Sequence, residues 1–158
     1  MSSKVLVALR VKAPPERAFA VFTAEIGQWW RPNSMFHFTP RSPGVIAFEP
    51  GEGGRLTETL ANGKVFEIGK VRAWDPPRRL VVGWRQATFV DGQDTEVEVT
   101  FEPVGDETRV TVEHRGWDSV PQAHVARHGF PNTMILQRHA EWWQSLLGSF
   151  KMRLGGDN

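Results

Sequence analysis

The sequence predicts an α+β domain in which a curved antiparallel sheet packs on one long C-terminal helix. Three observations carry this. Several segments between residues 45 and 115 place apolar residues at alternate positions, the mark of strands with one buried and one wet face. The final stretch, "FPNTMILQRHAEWWQSLLGSFKMRL", changes to helical spacing, with Ile135, His139, Trp142, Trp143, Leu146 and Phe150 on one wide stripe. Runs of strands with helices at the ends indicate α+β architecture rather than alternating βα units.

The elements follow in order. In "KVLVALRVK", Val5, Val7, Leu9 and Val11 share one face of a first strand. Pro14 and Pro15 suit a helix start, where a missing N–H costs little. Ala18, Phe19, Phe22 and Ile26 then recur at helical spacing, and Gly27 allows a break. Two short helices are expected, near residues 15–23 and 24–30. Residues 31–43 hold three prolines and no clean period, so they read as an apolar loop carrying Met35, Phe36 and Phe38. Such loops often cover a pocket. Strands are expected at "GVIAFEP", "RLTETL", "KVFEIGKVRAW", "RLVVGWRQ", "TEVEVTFEP" and "TRVTVEHRG", six or seven in all with the first. Asn62-Gly63 is a hairpin signal, because both residues tolerate positive φ. A sheet that curves more than the helix fills leaves a cavity between them, a natural ligand site.

The totals bound the function. The 158 residues fit one domain, 1–158, with 40% hydrophobic and 23% charged residues, as in soluble globular proteins. A net charge of +1 gives no electrostatic footprint for nucleic acid. The absence of cysteine excludes disulfides and thiolate chemistry. No segment reads as a signal sequence or membrane span, so a cytoplasmic protein is expected. Seven Trp and ten Phe without a single Tyr suit an apolar cavity or a tightly filled core.

Among candidate site residues, His114 shares the inward face of its strand with Val110 and Val112, and His139 lies on the apolar stripe of the last helix. Two inward histidines can bind a polar group of a ligand or exchange protons. Glu58 alternates with Leu56 and Leu60, and an inward carboxylate needs a partner, for which His114 or an arginine is expected. Trp84, Trp142 and Trp143 are expected as cavity walls, with Trp29 and its neighbour Trp30 and Phe36 framing the mouth. The glycines of "FEPGEGGRLTE" read as turn chemistry rather than a phosphate cradle, since strand-like residues follow them and no Lys-Ser/Thr does. No H-x-x-x-H, H-E-x-x-H, P-loop or nucleophile elbow occurs. Neither a metal nor a cofactor is expected.

The pieces "PPERAFAVFT", "IGQWW", "FEPGEGGRLTE", "GKVRAWDPPRRLVVGW" and "TEVEVTFEPVGDETRVTVEHRGW", followed by the Trp-rich helix, run in order through nearly the whole chain. This ordered set resembles the START/SRPBCC superfamily with its helix-grip fold, and more closely the bacterial homologues of the activator of heat-shock-protein-90 ATPase (AHSA1-like). The resemblance implies the fold, two short helices after the first strand included, and sets the function only loosely. Its members include ligand carriers, cyclase-like enzymes and chaperone-interacting domains. Three readings follow. The leading one is binding of a small hydrophobic molecule, aromatic ones included, between sheet and helix. The second is a chaperone-interacting domain of the stress response. The third is a cyclase- or hydrolase-type enzyme using His114 and Glu58, although binding is expected over catalysis and no residue is assigned as catalytic. Free sheet edges make either a monomer or a homodimer compatible with the chain.

Overall fold

The computed structural model describes residues 4–30, 44–84, 95–116 and 132–154, for 132–136 and 139 the backbone alone. The elements are β1 (Lys4–Val11), α1 (Pro15–Ala24), α2 (Ile26–Trp29), β2 (Val45–Phe48), β3 (Arg55–Thr59), β4 (Val65–Asp75), β5 (Arg79–Trp84), β6 (Thr95–Val104), β7 (Glu107–Arg115) and α3 (Asn132–Arg153). The strands form one curled antiparallel sheet in the order β1-β7-β6-β5-β4-β3-β2, and α3 lies against it. This is the expected fold, with seven strands.

Alternation decides which face is buried. Val5 pairs with His114, Val7 with Val112 and Leu9 with Val110, and on the other side of β7 Val97, Val99 and Phe101 stand opposite the same three β7 residues. Leu80, Val82 and Trp84 extend that inner face across β5. From α3, Trp142, Trp143, Leu146, Leu147 and Phe150 close it. Phe19, Phe22 and Ile26 enter from the two short helices.

The break between those helices falls at Glu25, whose N–H still bonds to the Val21 carbonyl at 3.2 Å. Gly27, expected at the break, lies inside α2 instead. Its reason is space, since a Cβ there would stand 3.0 Å from the Ile46 carbonyl oxygen.

The glycine stretch is a β2–β3 hairpin. Gly51 and Gly53 have positive φ, at 94° and 86°, and a Cβ on Gly54 would fall 2.2 Å from the Glu49 carbonyl oxygen. The Gly53 and Gly54 N–H groups donate to Val71 and Gly51 carbonyls at 2.9 and 3.1 Å, so they are spent on the fold and form no phosphate cradle.

Two irregularities bend the sheet at β4. Leu56 stands opposite Gly69 but Thr57 opposite Glu67, leaving Ile68 as a bulge. Val71 then pairs with Val82 but Ala73 with Val81, a second bulge at Arg72. Between them Gly69 approaches β5 so closely that a Cβ would meet the Gly83 carbonyl oxygen at 1.8 Å.

The outer face carries a ladder of charges. Arg72 reaches Glu96 (2.6 Å), Arg79 reaches Glu98 (2.5 Å), and Arg115 bonds to both Glu96 and Glu98 and lies 3.6 Å from Glu113. Partial burial pushes Glu96 and Glu98 up, but these arginine bonds outweigh it and hold both below the usual carboxylate range. Among the described residues no helix is long and apolar enough to cross a membrane.

Candidate functional site

Strand ends converge on one cluster. Trp84 is the last residue of β5, Thr95 the first of β6, and His114 the penultimate residue of β7. All three point inward by the same parity, because Trp84 pairs with Thr95 and His114 with Val97. Trp142 and Trp143 come down from α3, and Trp30 arrives from the end of α2. The rings interlock: Trp30–Trp84 at 5.3 Å, Trp84–Trp143 at 5.4 Å, Trp30–Trp142 at 5.6 Å and Trp142–Trp143 at 6.2 Å between centroids. His114 lies edge-on to Trp84 at 5.6 Å.

The imidazole is fully buried, and its tautomer follows from its neighbours. Trp143 Nε1–H can only donate, and it does so to His114 Nδ1 at 3.1 Å. The proton of the neutral ring therefore sits on Nε2 and is donated to Thr95 Oγ1 at 2.7 Å, which in turn donates to the Trp84 carbonyl at 2.7 Å. Burial pushes the His114 pKa down from 6.5 to about 3.

This has a consequence for stability. Below pH 6.5 the unfolded chain takes up a proton at His114 that the folded chain refuses down to about pH 3. Stability therefore falls with acidification across that window, by ~1.4 kcal/mol per pH unit from this group. Urea midpoints of the wild type and His114→Gln at neutral pH and near about pH 4 should show the wild type losing stability more steeply. Parallel losses would contradict it.

The other expected site residues divide. Trp29 belongs to the core proper: it packs on Phe22 (4.9 Å) and Phe150 (5.3 Å) and donates Nε1–H to the Val21 carbonyl. Its neighbour Trp30 is the ring that joins the cluster. Glu58 is buried on β3, where its Oε2 accepts from the Gly44 N–H at 3.1 Å. The expected partnership with His114 is not formed. Strands β4, β5 and β6 lie between β3 and β7, and both imidazole nitrogens are engaged by Thr95 and Trp143. Phe36 lies outside the described residues, and of His139 only its backbone place in α3 is described. Thr95 was not singled out by sequence reasoning, although its parity with Val97 puts it inward.

Between sheet and α3, the described residues bring these rings and the aliphatic core together. Among the described residues, two openings bear on function. A cleft of about 660 Å³ opens over the Gly69–Gly83 approach, with Glu52, Glu67, Lys70 and Arg72 in its walls. A groove of about 400 Å³ lies between α1 and the β4–β5 turn. No group of three metal-binding side chains occurs among the described residues.

Comparison with known proteins bears on this site. The sequence profile of the family described as activator of Hsp90 ATPase homolog 1-like protein matches residues 12–155. No curated protein is significantly similar in sequence. Among solved structures, a protein from Mesorhizobium loti is similar at 20% identity, with 96% of each chain covered and a TM-score of 0.68. An Hsp90 activator from Plasmodium falciparum is similar at 17% identity, covering 97% of this chain and 96% of that one, with a TM-score of 0.65. An anthrahydroquino-γ-pyrone synthase is 33% identical over 84% of this chain and 83% of its own, with a TM-score of 0.51.

Proposed function

Since the chain belongs to the activator of Hsp90 ATPase homolog 1-like family, we propose that it binds a small molecule with an aromatic body at the tryptophan-rich end of the sheet–helix interface. The observation that carries this reading is the gathering of Trp30, Trp84, Trp142 and Trp143 around one neutral imidazole. Three of those rings, Trp30 (8% exposed), Trp142 (5%) and Trp84 (4%), keep a margin of accessible surface, unlike the Leu146, Leu147 and Phe150 core at 0%. The similarity to a synthase of an anthrahydroquinone-type product supports a flat polycyclic ligand.

The driving force is apolar burial. A ligand ring system covering the ~200 Å² of an aromatic side chain gains about 5 kcal/mol before association costs. Stacked and edge-on contacts with indoles add specificity. His114 holds the walls in place through Trp143 and Thr95. With both nitrogens engaged, and with Glu58 four strands away, the pair supplies no acid–base couple, so binding is favoured over catalysis.

Calorimetric titration with a hydroxyanthraquinone tests the reading. Saturable 1:1 binding is expected, weakened at least about tenfold by Trp142→Leu, since one stacked ring is worth ~1.4 kcal/mol. Absence of saturation, or equal affinity of the variant, would overturn it.

A second reading, docking onto an Hsp90-type chaperone, is favoured by the charged outer face of Arg72, Arg79, Arg115, Glu96 and Glu98. It requires stimulation of an Hsp90 ATPase by the wild type and loss of that stimulation in Arg79→Glu. No stimulation at saturating protein removes it.

A further inference from the structure

The "DPP" turn and one face of α1 enclose the 400 Å³ groove, lined by Glu16, Phe19, Ala20, Thr23, Trp74, Pro76 and Pro77. The groove stands apart from the tryptophan cluster. The turn precedes Arg79 at one end of β5, and the cluster begins at Trp84 at the other, about 17 Å away along the strand.

Its chemistry is lopsided. Phe19 and Trp74 meet edge to face at 5.2 Å, and the prolines and Ala20 add further apolar surface. The Thr23 hydroxyl is spent inside α1, donating to the Phe19 carbonyl at 2.8 Å. That leaves Glu16 as the one ionisable side chain in the lining. Glu16 is exposed, and among the described residues no Lys or Arg pairs with it. An apolar trough with one unneutralised anion on its rim is complementary to an apolar body bearing one positive charge. The exposed part of the Trp74 indole adds attraction for a cation near its face.

We propose that this groove is a second binding site, for a small aryl- or alkylammonium molecule whose apolar body rests on Phe19, Trp74 and Pro77 and whose cationic head meets Glu16. The site is independent of the ligand assigned to the tryptophan cluster.

The test uses the whole chain and follows the Trp74 indole N–H resonance by NMR, assigned with Trp74→Phe, during titration with benzyltrimethylammonium, benzyl alcohol and benzenesulfonate. The ammonium should shift that resonance saturably, the alcohol more weakly and the sulfonate not at all. Glu16→Gln should weaken the ammonium about fivefold, as a partly solvated charge contact does, while leaving the alcohol unchanged. Equal binding of cation and anion, or an unchanged affinity in Glu16→Gln, would overturn the proposal. So would a Trp74 resonance that the ammonium leaves unmoved. Binding of a Lys- and Arg-bearing peptide without binding of the ammonium would give the groove to a protein partner and overturn it equally. A hydroxyanthraquinone should not displace the ammonium, so failure of one site is distinguishable from failure of the other.

Discussion

Gly69→Ala should lower the unfolding free energy by roughly 3 kcal/mol, the upper end of overpacking costs. The added Cβ would stand 1.8 Å from the carbonyl oxygen and 2.2 Å from the carbonyl carbon of Gly83, and both are backbone atoms. A flexible side chain could swing away, but β5 is held by its ladder to β6 along Arg79–Trp84 and cannot. Relief would require β4 and β5 to separate where the sheet bends, next to Trp84. Gly148→Ala in α3 is the contrasting case. Nothing lies within 4 Å of its Cβ position, and alanine there should stabilise by about 0.5–1 kcal/mol through helix propensity. Urea unfolding with unchanged slope measures both. A Gly69→Ala variant within about 1 kcal/mol of the wild type would show that the close approach is not a rigid one.

Trp143→Ala should cost roughly 3–5 kcal/mol, as expected when a fully buried large ring is removed. Trp143 touches Trp30, Trp84 and Trp142 and is the donor to His114 Nδ1. Trp143→Phe separates the two contributions. It keeps most of the apolar contact but leaves the imidazole nitrogen without its donor, at a cost of about 1–3 kcal/mol. The phenylalanine variant should also lessen the acid-dependent loss of stability, because an unsatisfied Nδ1 accepts a proton more readily. Equal stability of wild type and Trp143→Phe would mean that the Trp143–His114 bond contributes nothing net.

Much of this molecule is legible in the sequence, for identifiable reasons. Period-two alternation in "TEVEVTFEP" and "TRVTVEHRG" is set by the pleat, so the inward places of Val97, Phe101 and His114 follow from parity alone. The α3 stripe likewise delivers Trp142, Trp143, Leu146 and Phe150 inward. The glycine hairpin is legible because positive φ is a local demand. What depends on a distant partner is not. Whether Trp29 or Trp30 faces the cluster turns on where a one-turn helix ends against β2, α3 and the core. One partner of Glu58 is the Gly44 backbone, which no side-chain pattern announces. The bulge at Ile68 needed the β3 register, and the Gly69–Gly83 approach needed both strands in place.

The charged ladder on the outer face has a bearing on how this sequence can drift. Arg115 serves Glu96 and Glu98 at once, while Arg72 and Arg79 each hold one of the same two carboxylates. Losing Arg115 leaves each glutamate with one cation, and the cost of then losing Arg72 or Arg79 is larger than in the parent. Effects at these five positions therefore fail to add. Across homologues they should vary as a set, with a change of sign on β6 tolerated only in lineages that have already changed β4, β5 or β7.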